Sequence, residues 1–573
     1  MSASFRAQWR LFSSRERHPS RRLRAVKEES GEASAPEEAQ RFLREVIAKH
    51  ASQGLTAKQL LQQAVVLAVS TEEERRNSAA APSACDSPPD LQRDVTKTSL
   101  SSYSDMTSLL KELRPNPELQ VAPVRLLRGS WVLKRAEEAR MQIAQAGDNS
   151  AAVRYVHRKY KLPRRQDLEQ EPSESEAFLS VEEVLNLEMN NKGLDGHEQM
   201  AVVSVSHAWE TREHPDPRCA TLIQLADAIT RAQTKPMNQM RKLPKEVAIF
   251  YDWVSLFQWP RTANEETAFR HALSTMQVWY SHAMTTSVLV TNPCGGRADT
   301  STPPPRPYGE RGWPTFERGV SMFNKRGRGR LYWPSLIDTG DADGLARREA
   351  PLPPEEMEAL LEAKFFTNGK SDRSLVLELY KETGRVCIQE AVSLNYEGLD
   401  WDDAQLEMLC RWLPRCANAV RLVLANNHIS DRGVAALLGA VSAAPESTLP
   451  ALKQLQLHGN IGITEAGNAA LADGLRAGAF PGLKRLTVND DESRVLSLAC
   501  QERQIDFTQY DVVDAPWRAW RGSQAFASCP CDSRRNSRGR HGDADGSEWR
   551  DVANPLRVGS IVHRVVVARG ACR

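Results

Sequence analysis

The 573-residue chain contains no stretch of 18 or more uninterrupted apolar residues, the length a helix needs to span a bilayer, so it is expected to be soluble unless modified. Its ten cysteines are scattered and none falls into paired C-x-x-C blocks. A structural tetrahedral zinc site needs two closely spaced ligand pairs. Cys529 and Cys531 flank a proline, and Cys410 and Cys416 lie six apart, yet neither pair has a second. No metal is expected, and the thiols read as reduced and intracellular. Charge of either sign is not in excess, with 75 Lys+Arg against 73 Asp+Glu. That balance excludes the global positive field of a dedicated nucleic-acid binder. A Gly-x-x-x-x-Gly-Lys-[Ser/Thr] phosphate loop is also missing, and with it the nucleotide-driven switch that such a loop supports.

Length is what the chain does have, enough for about three units plus linkers. The first 27 residues hold seven arginines, several serines and one acid, Glu16. This is a basic tail (1–35) with a transit-peptide-like composition. A cytoplasmic protein is expected, with organelle import through this arginine-rich start as the alternative. Phe42, Val46, Ile47, Leu60, Leu61, Val65 and Val66 recur at three and four residues and predict a helical segment over 36–76. The Ala/Ser/Pro-rich run Ser78–Asp90 reads as linker, within a weakly helical, highly charged region that extends to 186.

From Val202 short apolar runs alternate with helical patterns: Val202, Val203 and Val205, then Leu222, Leu225 and Ile229, then Val247 to Tyr251, then Phe269, Leu273, Met276 and Tyr280, then Ser287 to Val290. Such alternation predicts a parallel α/β sheet, placed within 187–347. The Pro-rich Thr302–Pro307 must lie outside it, because proline removes ladder donors. A helical connector is expected over 348–388. From Val392 a period of about thirty residues sets in: Leu394, Leu422/Leu424, Leu455/Leu457, Leu486/Val488, with Asn427 and Asn460 completing two L-x-L-x-x-N cores. A repeat of this length predicts a solenoid over 389–513, its asparagine amides bonding the backbone where the chain turns. Beyond 514 the composition reads as a disordered tail closing on the β-prone run Ile561–Val567.

Four segments stand in order within the α/β unit: Ser206-His207-Ala208-Trp209, Phe250-Tyr251-Asp252-Trp253 with Gln258, Met276 to Tyr280, and Arg311-Gly312-Trp313-Pro314-Thr315-Phe316-Glu317. Their succession resembles the HET (heterokaryon incompatibility) domain over about 120 residues, and also the TIR domain, whose catalytic glutamate follows a tryptophan by four positions, as Glu317 follows Trp313. The chain departs from the HET pattern in having Glu210 in place of a glycine and Phe316 in place of a glutamine. The repeats resemble the ribonuclease-inhibitor-like class of leucine-rich repeats. The implied fold class is α/β: a flavodoxin-like parallel sheet plus a short leucine-rich-repeat solenoid, with a helical N-terminal region and disordered tails.

The resemblance implies cleavage of NAD, as substrate rather than cofactor, at the nicotinamide–ribose bond. Glu317 would be the catalytic carboxylate that bonds ribose hydroxyls as oxocarbenium character develops. His207, Trp209, Asp252, Arg311 and Trp313 would hold the nucleotide, with Trp209 stacking on a ring and Arg311 pairing with pyrophosphate. It further implies self-association of the α/β domain and a protein partner for the repeats, as in innate-immunity and cell-death proteins. The rivals are an inactive interaction scaffold and a nucleotide-processing enzyme on the same sheet. Each site residue also has a plainer reading: tryptophans packing sheet against helix, Asp252 capping a turn, Glu317 pairing with Arg311 or Arg318. His207, His214 and Asp216 are expected in a solvent-facing loop rather than on a metal, and Lys325–Arg330 in a solvated basic loop.

Overall fold

The computed structural model describes residues 98–510 apart from 116–118, 188–198, 236–240, 293–305, 326–332, 368 and 490. The expectations for the basic tail, the segment 36–76, most of the Pro-rich insertion, Arg326–Arg330 and the C-terminal tail lie outside the described residues. Within them the chain is α/β, with two five-stranded sheets.

The first sheet runs β1 (Leu127–Arg128), β3 (Ala248–Phe250), β2 (Val202–His207), β4 (Thr286–Val290), β5 (Leu336–Asp338) in spatial order. Strands β3, β2, β4 and β5 are parallel, and β1 joins β3 antiparallel. Every residue of β2 is buried, as a strand covered on both faces requires. Its side chains alternate between two separate cores. Val202 shares one core with Phe250, Trp279, Tyr280 and Phe316; Val203 and Val205 share the other with Leu222, Ile229, Ile249 and Tyr251.

The first core is covered by α8 (Ala263–Ser274), α9 (Met276–Ser281), α10 (Gly312–Asn324) and α12 (Lys370–Gly384). The second is covered by α2 (Gly129–Ala146), α3 (Ser150–Tyr160) and α6 (Ala220–Thr234). Part of the region set down as linker and weakly helical is thus built into the sheet. Arg165, 2% exposed, fastens it there: its guanidinium donates to the carbonyls of Ala122, Pro123 and Ser255 and lies 3.7 Å from the Phe257 ring centroid.

The second sheet takes its strands in chain order, all parallel: β6 (Ser393–Asn395), β7 (Arg421–Val423), β8 (Gln454–Gln456), β9 (Arg485–Val488) and β10 (Asp506–Gln509). The register lines up Leu394, Leu422, Leu455, Leu486 and Phe507, so the thirty-residue period places one leucine above the next. Helices α13 (Asp403–Cys410), α14 (Asp431–Ala443), α15 (Glu465–Arg476) and α16 (Val495–Glu502) return the chain between strands.

This array is welded to the first sheet through α10. Arg348 donates to the carbonyls of Met322, Phe323 and Lys325 at the C-terminal end of α10, where carbonyls lack helical partners. Its own carbonyl accepts from Trp401 Nε1 at 2.7 Å. Phe323 packs edge-on against Trp412, ring centroids 5.9 Å apart. No helix among the described residues is long and apolar enough to cross a membrane.

Candidate functional site

The carboxyl end of β2 divides its chemistry between the two faces of the sheet. Ser206 and His207 are consecutive strand residues and project to opposite sides. On one side, His207 stacks on Tyr251 with ring centroids 4.4 Å apart. Its Nε2 lies 2.9 Å from Asp252 Oδ1. Asp252 also accepts from Trp209 Nε1 at 2.9 Å and from the Trp253 backbone N–H at 2.6 Å. Burial opposes ionisation of both partners, but each charge favours the other: the histidine is raised above its usual pKa and the aspartate held below its own. The carboxylate can only accept, so Nε2 carries a proton. The other ring nitrogen, Nδ1, is buried without a hydrogen-bond partner among the described residues.

On the other side, α10 brings Glu317 to Ser206. The hydroxyl lies 2.6 Å from Glu317 Oε2 and 2.6 Å from the Tyr308 hydroxyl. Glu317 is 4% exposed. Burial first, and then the Asp252 charge, push its carboxyl up to about 8; the Ser206 hydrogen bond and the His207 charge work the other way. Tyr280, which donates to the Val205 carbonyl at 3.2 Å, is close enough for its hydroxyl and Glu317 to influence each other. The two halves are coupled electrostatically through Asp252, with no hydrogen bond joining Glu317 to His207 among the described residues.

Of the six residues singled out from sequence, His207, Trp209 and Asp252 therefore form one hydrogen-bonded cluster, and Glu317 stands on the opposite face of the same strand end, near enough to feel the Asp252 and His207 charges. Arg311 and Trp313 are turned toward the connector. Trp313 Nε1 donates to Asp372 Oδ2 at 3.1 Å on α12, and the Arg311 guanidinium lies 5.4 Å from the Phe365 ring centroid. The reason is at Gly312, where a β-carbon would fall 2.1 Å from the Phe366 ring. Only glycine lets the start of α10 lie against Phe366, and that contact commits the flanking side chains to the same surface.

Three expectations are corrected. His207, His214 and Asp216 do not form a solvent-facing loop; His207 ends β2 and the three are 4%, 5% and 1% exposed. His214 Nδ1 accepts from the Asp216 N–H at 2.9 Å and Nε2 lies 2.8 Å from the Leu162 carbonyl, while burial lowers the ring to about 4. Among the described residues no cluster of histidine, cysteine and carboxylate is placed to hold a metal. Lys325 is not in a solvated loop either. It is fully buried, with Nζ bonded to the carbonyls of His282 and Thr285 and to Thr285 Oγ1. Among the described residues Glu317 forms no ion pair with Arg311 or Arg318; Arg318 turns instead to Glu349 at 3.3 Å and Asp338 at 3.7 Å.

Ser206, Tyr280 and Tyr308 were given no role by sequence reasoning. The first two lie inside the ordered motifs, which was a signal. Tyr308 follows the Pro-rich insertion and carries none. The motif glutamine, Gln258, serves the backbone: its Nε2 donates to the carbonyls of Asp252 and Leu256, which fixes the turn that presents Asp252.

No protein-family model matches the chain, and no curated protein matches it in sequence. What the fold and site define is thus a class: an α/β protein with a buried acid–base cluster at the carboxyl end of a mainly parallel sheet, fused to a second, all-parallel sheet.

Proposed function

We propose that this chain is an intracellular signalling protein with a TIR/HET-like, flavodoxin-like domain that self-associates and cleaves NAD, joined to leucine-rich repeats that bind a protein partner. The observation that carries the activity is that Glu317 on α10 is held against the carboxyl end of β2 through Ser206, 2.6 Å away, the same strand end that carries His207 and its partner Asp252. Strand order reverses between β2 and β4, and ligands of open α/β sheets bind at such a switch point. Glu317 works as a carboxylate that bonds the ribose hydroxyls in the transition state, and Trp209 offers a ring for stacking. The leucine register and the bonds made by Asn427 and Asn460 support the repeat reading.

The experiment is to incubate the full chain with NAD over a range of protein concentrations and measure free nicotinamide and association state. Wild type releases nicotinamide and Glu317→Ala does not, while both keep the same far-UV circular dichroism. Because the active form is ionised and its carboxyl sits near 8, the rate climbs with pH through that region to a plateau.

The second reading, an inactive scaffold, is favoured by the burial of Glu317 and by the commitment of Arg311 and Trp313 to the connector. It wins if wild type self-associates and leaves NAD intact at every concentration.

A further inference from the structure

Two hydroxyls form a short chain that begins at Glu317. Ser206 Oγ is 2.6 Å from Glu317 Oε2 and 2.6 Å from Tyr308 Oη, and Tyr308 Oη is 3.2 Å from the Pro314 carbonyl. Ser206 is fully buried, Glu317 is 4% exposed and Tyr308 8%. Each hydroxyl has one proton to donate, and a carbonyl only accepts.

With the exchangeable proton of Glu317 on Oε2, these constraints allow two arrangements. With Glu317 ionised, Tyr308 donates to Ser206 and Ser206 donates to the carboxylate. With Glu317 protonated, the acid donates to Ser206, Ser206 to Tyr308, and Tyr308 to Pro314. In both, every proton in the chain has an acceptor. An unpaired buried polar group is costly, so a chain satisfied in either direction removes a penalty that would otherwise lock the acid in one state. We propose that Ser206 and Tyr308 are positioning residues: they hold the Glu317 carboxyl in place and, by reversing direction together, let it gain or lose a proton inside the core without stranding a polar atom.

The chain ends on a carbonyl, which does not pass a proton on. The pair is therefore not a conduit; it answers the change of proton at Oε2 by turning around. The charged and titratable groups facing Glu317 are His207 from β2, Asp252 from the turn after β3 and Tyr280 from α9. Arg318 and Asp338 act on Tyr308. Burial and Asp252 favour the protonated acid, and the Ser206 bond favours the carboxylate.

This inference rests on the reading of Glu317 as the working carboxylate, and its test is kept separate from turnover. Infrared difference spectra of the full chain are recorded against pH, with Glu317→Gln identifying the carboxyl C=O band. Ser206→Ala is expected to raise the Glu317 midpoint by about one pH unit through loss of a donor to the charged form. Tyr308→Phe raises it by less, because Ser206 loses the donor that polarises it. Ser206→Thr, which keeps the hydroxyl, titrates as wild type. Ser206→Ala and Tyr308→Phe proteins that retain native circular dichroism but titrate at the wild-type midpoint overturn the proposal. Should Ser206→Ala fail to fold, Tyr308→Phe against Ser206→Thr decides it alone. Nicotinamide release is measured in the same samples. Shifted midpoints without turnover remove the enzyme and keep the hydroxyl pair; turnover with unmoved midpoints does the reverse.

Discussion

The turn asparagines of one sheet and the strand-end charges of the other are buried in opposite ways. In the C-terminal sheet, Asn427 accepts from the N–H groups of Leu399 and Trp401 and donates to the carbonyls of Tyr396, Leu424 and Ala425. Asn460 does likewise, accepting from Ile429 and donating to Leu424 and Leu457. Neither amide carries charge, and each bonds backbone that would otherwise be stranded at the turn. In the first sheet, buried charge is brought together and left partly unanswered: His207 Nδ1, Glu210 Oε1 and Asp216 Oδ1 have no hydrogen-bond partner among the described residues. The Asp216 carboxyl is pushed up to about 6, chiefly by burial. Complete satisfaction marks a structural device. Perturbed, incompletely bonded groups clustered at a strand end are where chemistry is arranged.

The sharpest break of that contrast is Asn427→Ala. Two buried N–H groups and the Tyr396 carbonyl lose their partner together, while the Leu424 carbonyl keeps Asn460 and the Ala425 carbonyl keeps the Gly398 N–H; at about 1–3 kcal/mol for each stranded group the loss comes to about 3 kcal/mol or more. Urea denaturation measures it as a fall in midpoint at unchanged slope. A loss below about 1 kcal/mol would mean that the turns are held by something other than the amide.

Glu317→Gln probes the other sheet, and its effect changes with pH. The folded-state pKa, about 8, lies above the unfolded value of roughly 4.3. The folded form therefore holds its proton over a range where the unfolded form has lost it. The stability this confers is fully present below the unfolded value and disappears as pH rises through about 8. Wild type should lose stability between pH 5 and pH 9 more steeply than the glutamine variant, which has no proton to lose. Parallel stability–pH curves for the two proteins would remove Glu317 as a perturbed acid. Asn427→Ala, by contrast, lowers stability by the same amount at every pH in that range, and so separates the two kinds of burial.

Legibility followed the same division. The alignment of Leu394, Leu422, Leu455 and Leu486 was readable because one leucine and one asparagine recur at fixed offsets, so that each meets its counterpart's turn one period away. The central strands and the motif residues at their ends were readable because their apolar runs and turn residues are contiguous in sequence. What escaped the sequence depends on tertiary packing. Strand β1 is two residues long and too short to show a period. Lys325 is buried because three oxygens from the α9–β4 turn converge on it, none near it in sequence. Tyr308 reaches Ser206 across 102 positions, and the outward turn of Arg311 and Trp313 follows from Phe366 lying on Gly312.

The smallest predicted effect bears on how repeats are joined to each other. Thr464 caps α15 by accepting from the Ala466 N–H at 3.2 Å. It also donates to Asp431, at the start of the preceding helix, from both its hydroxyl and its backbone N–H, each at 2.7 Å. Ser430 repeats the arrangement with Asp403. Glycine three residues after each cap leaves room for the acid: a β-carbon at Gly467 would lie 2.3 Å from Asp431 Oδ1, and one at Gly433 2.5 Å from Asp403 Oδ1. Each cap thus serves its own helix and the neighbouring repeat at once. Thr464→Ala removes the hydroxyl from both and should cost about 1 kcal/mol, whereas Thr464→Ser should be close to neutral. Because repeat arrays hold together through nearest-neighbour terms, the alanine variant should also show faster amide hydrogen exchange over 454–509 than over 393–423. Uniform exchange at lowered stability would show instead that the cap acts only within its own helix, and that leucine packing alone couples one repeat to the next.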